Sequence, residues 1–127
     1  MRLKNFSLTF GTQVFKAVSD ESRVRILHLL YQNEELTISD LEHILEFTQT
    51  KASRHITYLK NSGIVSARKA DQWVFYSIRE EVEEIINQVF EFLIKDNILQ
   101  HDQEVFKILE SNRELAKSRF QNRNLYR

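Results

Sequence analysis

At about 100° per residue, a helix starting at Gln49 turns Ala52, Ile56 and Leu59 to one side and Thr50, Arg54, Thr57 and Asn61 to the other. Ser53 and Tyr58 flank the polar side. An arginine can pair bidentately with a guanine edge, and hydroxyls and amides serve base edges and phosphate oxygens alike. Gln49, Thr50 and Lys51 stand at the start of this helix, where free N–H groups and the positive end of the dipole favour phosphate. Thr48 occupies the position of a capping side chain. The combination suits contact with duplex nucleic acid, with Arg54 the first candidate for reading a base. The plainer alternative is a solvated helix face.

Other chemistry has less to stand on. The chain contains no cysteine, which excludes disulfides, thiolate metal sites and thiol redox switches. His28, His43, His55 and His101 never recur at i+3 or i+4, so an imidazole metal site needs a tertiary coincidence. Glu80, Glu81, Glu83 and Glu84 crowd one short stretch. Carboxylates are favoured at a helix start by its dipole, so a solvated first turn is a simpler reading than a hard-cation site. No nucleophile stands beside a base in a recognisable motif, and no glycine-rich phosphate loop exists. No enzymatic activity, cofactor or metal is expected.

The chain carries 18 basic and 18 acidic side chains, but the zero net charge conceals a pattern. Residues 1–45 sum to −1, 46–78 to +3, 79–110 to −6 and 111–127 to +4. A basic middle followed by an acidic segment is expected if one face meets phosphate and another is solvated.

The elements that must position this face follow from periodicity and punctuation. Proline is absent and only Gly11 and Gly63 are glycine, so a helix-rich chain is expected. Phe6, Phe10 and Val14, with Phe15 and Val18, give an amphipathic helix from about residue 4 to 18. Ser19-Asp20 can cap a second helix through Val24, Ile26, Leu27, Leu30 and Tyr31, ending near Gln32-Asn33. Thr37 and Asp40 have capping-box spacing and Leu36 and Leu41 that of a hydrophobic staple, which starts a short third helix ending near Leu45. After Glu46-Phe47-Thr48 the fourth helix runs to about Ser62, and Gly63 sits where a left-handed cap is needed. Ile64–Lys69 and Trp73–Ile78 read as a hairpin around Ala70-Asp71-Gln72. Val82, Ile85, Ile86, Val89, Phe90, Leu93 and Ile94 mark a fifth helix over about 80–95. Val105, Phe106, Ile108 and Leu109 mark a last one over about 102–117, with the final ten residues frayed. The fold class is therefore mainly α with a small β-hairpin in the order α-α-α-α-β-β-α-α: a winged helix-turn-helix, with the helix-turn-helix at 37–62 and the wing at 64–78. No linker divides residues 1–127.

In this order, three segments resemble the ArsR/SmtB family of bacterial transcriptional regulators over roughly residues 6–95. They are Phe15-Lys16-Ala17-Val18-Ser19-Asp20-Glu21-Ser22-Arg23-Val24-Arg25-Ile26-Leu27, then Gln49-Thr50-Lys51-Ala52-Ser53-Arg54-His55-Ile56-Thr57-Tyr58-Leu59, then Gly63-Ile64-Val65 with Trp73-Val74-Phe75-Tyr76. The resemblance implies a dimer joined by the first and fifth helices, recognition helices in successive major grooves and wings along the backbone. It assigns DNA contact to Gln49, Thr50, Ser53, Arg54 and His55. The helical wheel turns His55 toward the inner flank, which leaves it between phosphate contact and packing. Arg68 and Lys69 are the wing's cations, while Asp71-Gln72 stands where the family's wing tip often has Gly-Arg, and Glu46 where its turn often has Gly.

The same resemblance makes Phe6, Phe10 and Val14 on the first helix, and Val82, Ile86, Val89, Phe90 and Leu93 on the fifth, the expected homodimer interface. The fifth helix's apolar stripe is wide enough for that role or for a core shared with the last helix. The segment that carries the family's metal-sensing cysteine pair reads Leu36-Thr37-Ile38-Ser39-Asp40, with no soft ligand. The expected function is a cytoplasmic, metal-independent repressor that binds an inverted-repeat DNA operator. The competing expectation is a winged helix that binds protein and no longer reads DNA. Arg119, Arg123 and Arg127 in the tail either touch flanking DNA or stay disordered.

Overall fold

The computed structural model describes residues 5–125, with side chains as far as residue 116. Four helices open the chain: α1 (Leu8–Ala17), α2 (Glu21–Asn33), α3 (Ile38–Leu45) and α4 (Gln49–Asn61). A hairpin of β1 (Val65–Ala70) and β2 (Trp73–Ile78) follows, then a 3-10 turn at Glu80–Val82, α5 (Glu83–Leu93) and α6 (Asn97–Leu125). Among the described residues no helix is long and apolar enough to cross a membrane.

Side-chain oxygens set most of the helix starts. Ser7 accepts from the Phe10 N–H at 3.0 Å, which begins α1 at Leu8 rather than near residue 4. Asp20 accepts from the Arg23 N–H at 3.0 Å, and that bond holds its carboxyl below the usual range. Thr37 and Asp40 form the reciprocal capping box read from the sequence, with bonds of 3.1 and 3.0 Å. Asp96 accepts from the Ile98 N–H at 2.9 Å, so α6 begins at Asn97, before the expected residue 102. The last helix also continues through Leu125 instead of fraying after 117. The side chains of Arg119 and Arg123, and all of Lys4 and Arg127, lie outside the described residues.

The core gathers one apolar face from almost every element: Ile26, Leu27 and Leu30 of α2, Leu41 and Ile44 of α3, Ala52, Ile56 and Leu59 of α4, Ile64, Val65, Ile86 and Phe90. The strands pair antiparallel from Val65 with Ile78 to Ala70 with Trp73, so only Asp71 and Gln72 form the turn. Asp71 adopts φ 55°, a left-handed conformation that aspartate tolerates. Leu36 makes a single antiparallel bridge to this hairpin, exchanging N–H···O bonds of 3.0 and 2.8 Å with Tyr76.

Polar clamps fix α6 across α2 and α3. Arg25 donates through Nε and one Nη to both oxygens of Asp102, each at 2.9 Å, and Asp102 is 1% exposed. Asn33 and Gln103 exchange reciprocal amide bonds of 2.7 and 2.9 Å. Arg113 donates to Asp40, tying α6 to the capping box of α3. Valine and phenylalanine at 105 and 106, with Leu109, pack against the core between these clamps.

Candidate nucleic-acid interface

The turn between α3 and α4 is closed by Glu46 at φ 56° and ψ 38°. A glycine adopts that conformation without strain; here a glutamate does, held by α3 and α4 packed on either side of it. Thr48 then caps α4 by accepting from the Lys51 N–H at 3.1 Å. At the other end Gly63 takes φ 79°, and a Cβ there would lie 3.1 Å from the Phe10 ring, so both backbone and space call for glycine.

The outward face of α4 divides as the periodicity predicts. Ala52, Ile56 and Leu59 are 0–1% exposed, while Gln49, Thr50, Arg54, Thr57 and Asn61 are exposed and Ser53 is half-buried. Lys51, Arg54 and Lys60 give the helix its charge, with no carboxylate in it. Lys51 lies over the Phe47 ring at 4.2 Å, its stem held by the turn and its ammonium at the helix start. Tyr58 is 36% exposed and lies beneath the Arg23 guanidinium at 4.1 Å. Arg23 also donates to the carbonyls of Lys16 and Ala17 at 2.9 and 3.1 Å, so one side chain locks α1, α2 and α4 together. No sequence pattern had singled it out.

His55, left by the sequence between phosphate contact and packing, lies on the packing side: it is 7% exposed, on the inner flank with Ala52 and Leu59. Burial pushes its pKa down; Asp20 opposes the shift, and Arg54, Arg23 and Lys51 add to it. It is a packing residue that stays neutral near pH 7.

The wing carries less free positive charge than its sequence suggests. Arg68 is paired with Glu35 through contacts of 2.6 and 3.2 Å and lies over Phe75 at 4.9 Å. The pair fastens the wing to the α2–α3 connection while leaving the Arg68 side chain 58% exposed. Lys69, on the same strand, is exposed.

Four of the expected interface residues are occupied inside the protomer. Val14, Val82, Ile86 and Phe90 are 0–3% exposed, with the Phe90 ring stacked on Tyr31 at 5.3 Å and edge-on to His28 at 5.5 Å. They have no surface left for a second chain. Phe6, Phe10 and Leu93 are half-buried against the same core, and Val89 is half-buried. The large side chains that α1 and α5 do leave in solvent are Leu8, Phe15 and Phe92, at 85%, 69% and 77% exposure. Leu8 and Phe15 stand at i and i+7, a spacing visible in the sequence but masked by the stronger Phe6, Phe10, Val14 pattern.

A groove of about 1200 Å³ between the end of α2 and α5 is lined by Glu34, Glu35, Glu80, Glu83, Glu84 and Glu91. It gathers much of the chain's acidic charge away from α4. Among the described residues, no three histidine or carboxylate side chains converge where a metal ion could be held.

A recognition helix with a polar, cation-bearing face, a tight turn to a supporting helix and a following hairpin define a winged helix-turn-helix. The family model for bacterial regulatory proteins of the arsR family matches residues 20–67, from the cap of α2 into β1. The chain is 34% identical over 84 residues to the arsenic resistance transcriptional regulator ArsR1 of Pseudomonas putida, covering 66% of each chain. It is 39% identical over 76 residues to the arsenical resistance operon repressor of Escherichia coli, covering 60% of this chain and 65% of that one. It thus spans just under two thirds of the length of these relatives. Among solved structures, it is similar to a homodimeric winged helix-turn-helix DNA-binding domain from Mycobacterium bovis, described as a possible ArsR-family transcriptional regulator. That match has a TM-score of 0.61 and 29% identity over 74% of this chain and 85% of the other. The protein belongs to the ArsR family, whose members are transcriptional regulators and not enzymes.

Proposed function

We propose that this protein is a sequence-specific DNA-binding repressor that works as a homodimer on an inverted repeat. The observation that carries this reading is the face of α4. Thr50, Arg54, Thr57 and Asn61 are exposed on a helix free of carboxylates and pinned through Arg23, Lys51 and Glu46. Arg54 reads a base edge; Thr48, Gln49, Thr50, Lys51 and Ser53 hold the helix start against phosphate, and Lys69 meets the backbone from the wing. Tyr58 supports the face through Arg23 and offers its hydroxyl rim.

The dimer forms through Leu8, Phe15 and Phe92, with the exposed edges of Phe6, Phe10, Val89 and Leu93 around them. A two-fold arrangement presents two α4 helices to major grooves about one helical turn, ~34 Å, apart. Release of DNA by a thiolate-bound metal has no chemical basis in a chain without cysteine. Control therefore comes from expression level, another ligand or a partner.

The test is a mobility-shift titration of the full chain against its gene's upstream region and against random duplex, at rising salt. Preferential binding to one palindromic fragment, steeply weakened by salt, is expected. Equal affinity for all duplexes, or none, overturns the reading in favour of a protein-binding winged helix.

A further inference from the structure

The groove between the end of α2 and α5 has a floor and walls of opposite character. Leu30 and Ile86, both nearly fully buried, form its floor with Ile78 and the Tyr31 ring. Six glutamates line its walls, and no lysine, arginine or histidine lines it. Among the described residues only one of the six, Glu35, is in an ion pair, with Arg68 of the wing. The volume of about 1200 Å³ is of the scale that small organic ligands occupy.

Backbone and helix geometry set these carboxylates in place. The Glu35 N–H bonds back to the Asn33 carbonyl at 2.7 Å, with Glu34 between them at φ 64° and ψ −66°, a γ-turn of the rare and strained kind. The turn puts the neighbouring side chains of Glu34 and Glu35 in one wall. On α5, Glu83, Asn87 and Glu91 stand at i, i+4 and i+8, spread over about 12 Å of helix at ~1.5 Å per residue. Asn87 is held by the Tyr31 hydroxyl, which donates to its Oδ1 at 2.5 Å. Glu84, in the same wall, has its Oε2 shut off from water with no hydrogen-bond partner among the described residues. An ionised oxygen so placed is costly until a donor reaches it.

We propose that this groove binds a linear polyamine, a flexible aliphatic chain carrying several ammonium groups. Among the described residues no three carboxylates converge where one metal ion could be held. Ammonium groups set along a chain instead meet spread carboxylates one by one, and one of them donates to Glu84 Oε2. The methylenes between them lie on Leu30, Ile78 and Ile86, as the stem of a lysine lies on apolar surface. Phe92, on which the proposed dimer rests, lies about 140° round α5 from Asn87 at ~100° per residue, so association leaves this flank open. The site also reaches the wing. Both oxygens of Glu35 accept from Arg68, so an ammonium at Glu35 competes with that tie. Binding here is separate from α4 and does not depend on the DNA reading.

The full chain is titrated by calorimetry, without DNA, with the triamine spermidine, the diamine putrescine, magnesium ion and a lysine tripeptide, at rising salt. Saturable binding of the triamine is expected, roughly tenfold tighter than the diamine or magnesium and weakened by salt. Glu83→Gln with Glu91→Gln should weaken it by about tenfold or more. Glu104→Gln with Glu110→Gln, the same change of charge on α6, should leave it little altered. Glu84→Gln should weaken binding while the melting temperature of the free protein stays the same or rises, because an unpaired buried charge is removed. Arg68→Ala should tighten binding by freeing Glu35, and unchanged affinity there overturns the link to the wing. No triamine binding, magnesium bound equally well, or equal losses from the α5 and α6 pairs overturns the site. Binding of the tripeptide without the triamine overturns the ligand class in favour of a basic peptide. None of these outcomes touches the repressor reading, which the mobility shift tests by itself.

Discussion

The helices α4 and α5 carry apolar stripes of similar quality, yet the structure uses them differently. In α4 the stripe of Ala52, Ile56 and Leu59 is buried and its opposite face is the candidate DNA surface. The stripe of Val82, Ile86 and Phe90, in the 3-10 turn and α5 and expected to meet a second copy, fills the protomer's own core, while Phe92 on the other side of α5 is left exposed. Periodicity states that a stripe is removed from water and is silent about which surface removes it. α4 is easier to read because a functional face is recognised by what it leaves exposed. For α5 the same information requires knowing where α2 and α6 lie.

The sharpest break of this comparison is a pair of charge insertions on α5. Phe90→Asp places a carboxylate with no partner beside Tyr31 and His28, which should cost more than ~4 kcal/mol and abolish cooperative unfolding. Phe92→Asp, preferably with Phe15→Asp, should leave circular dichroism and thermal stability of the protomer nearly intact and convert the dimer to monomer in sedimentation. A folded dimer in both cases would move the interface elsewhere.

The next effect concerns the strut that occupies α2's other side. Arg25→Ala leaves the Asp102 carboxylate buried with its principal partner gone, and breaking such a pair costs about 3 kcal/mol. Urea unfolding should show that loss, and hydrogen exchange should show faster opening of α6. Exchange unchanged along α6 would mean that Asn33, Gln103 and the apolar contacts hold it unaided.

On α4 itself, Arg54→Ala should remove about 1 to 3 kcal/mol of specific binding while leaving random duplex affinity little changed. Lys69→Ala should instead weaken all sequences alike and reduce the salt dependence by roughly one ion. Equal losses on specific and random DNA for both variants would show Arg54 to be a phosphate contact.

The smallest effect is on pH. Burial lowers the pKa of both His28 and His55, with Asp102 opposing it at His28. Each histidine then takes up its proton more readily in the unfolded chain. Stability contributed by the neutral forms is complete above the unfolded value of about 6.5 and is lost as pH falls below it toward the folded values. Melting temperature should therefore drop between pH 7.5 and 5.5, and His28→Leu should flatten the slope. An equal slope in the variant would assign the effect to other groups.

Much of the molecule was legible without coordinates because it is written in local signals. The capping box at Thr37 and Asp40, the cap at Thr48, the left-handed Gly63 and the antiparallel wing each depend on residues a few positions apart, whose backbone preferences survive in any tertiary setting. The polar face of α4 follows from the same periodicity. Two things were decided only by packing: Arg68 paired with Glu35, and α6 bound across α2 and α3 through Asp102, Gln103 and Arg113. Their partners stand between 33 and 77 positions away. A side chain's charge and shape are fixed by the sequence; whether it meets solvent, DNA or another part of the chain depends on contacts that only the folded arrangement brings together.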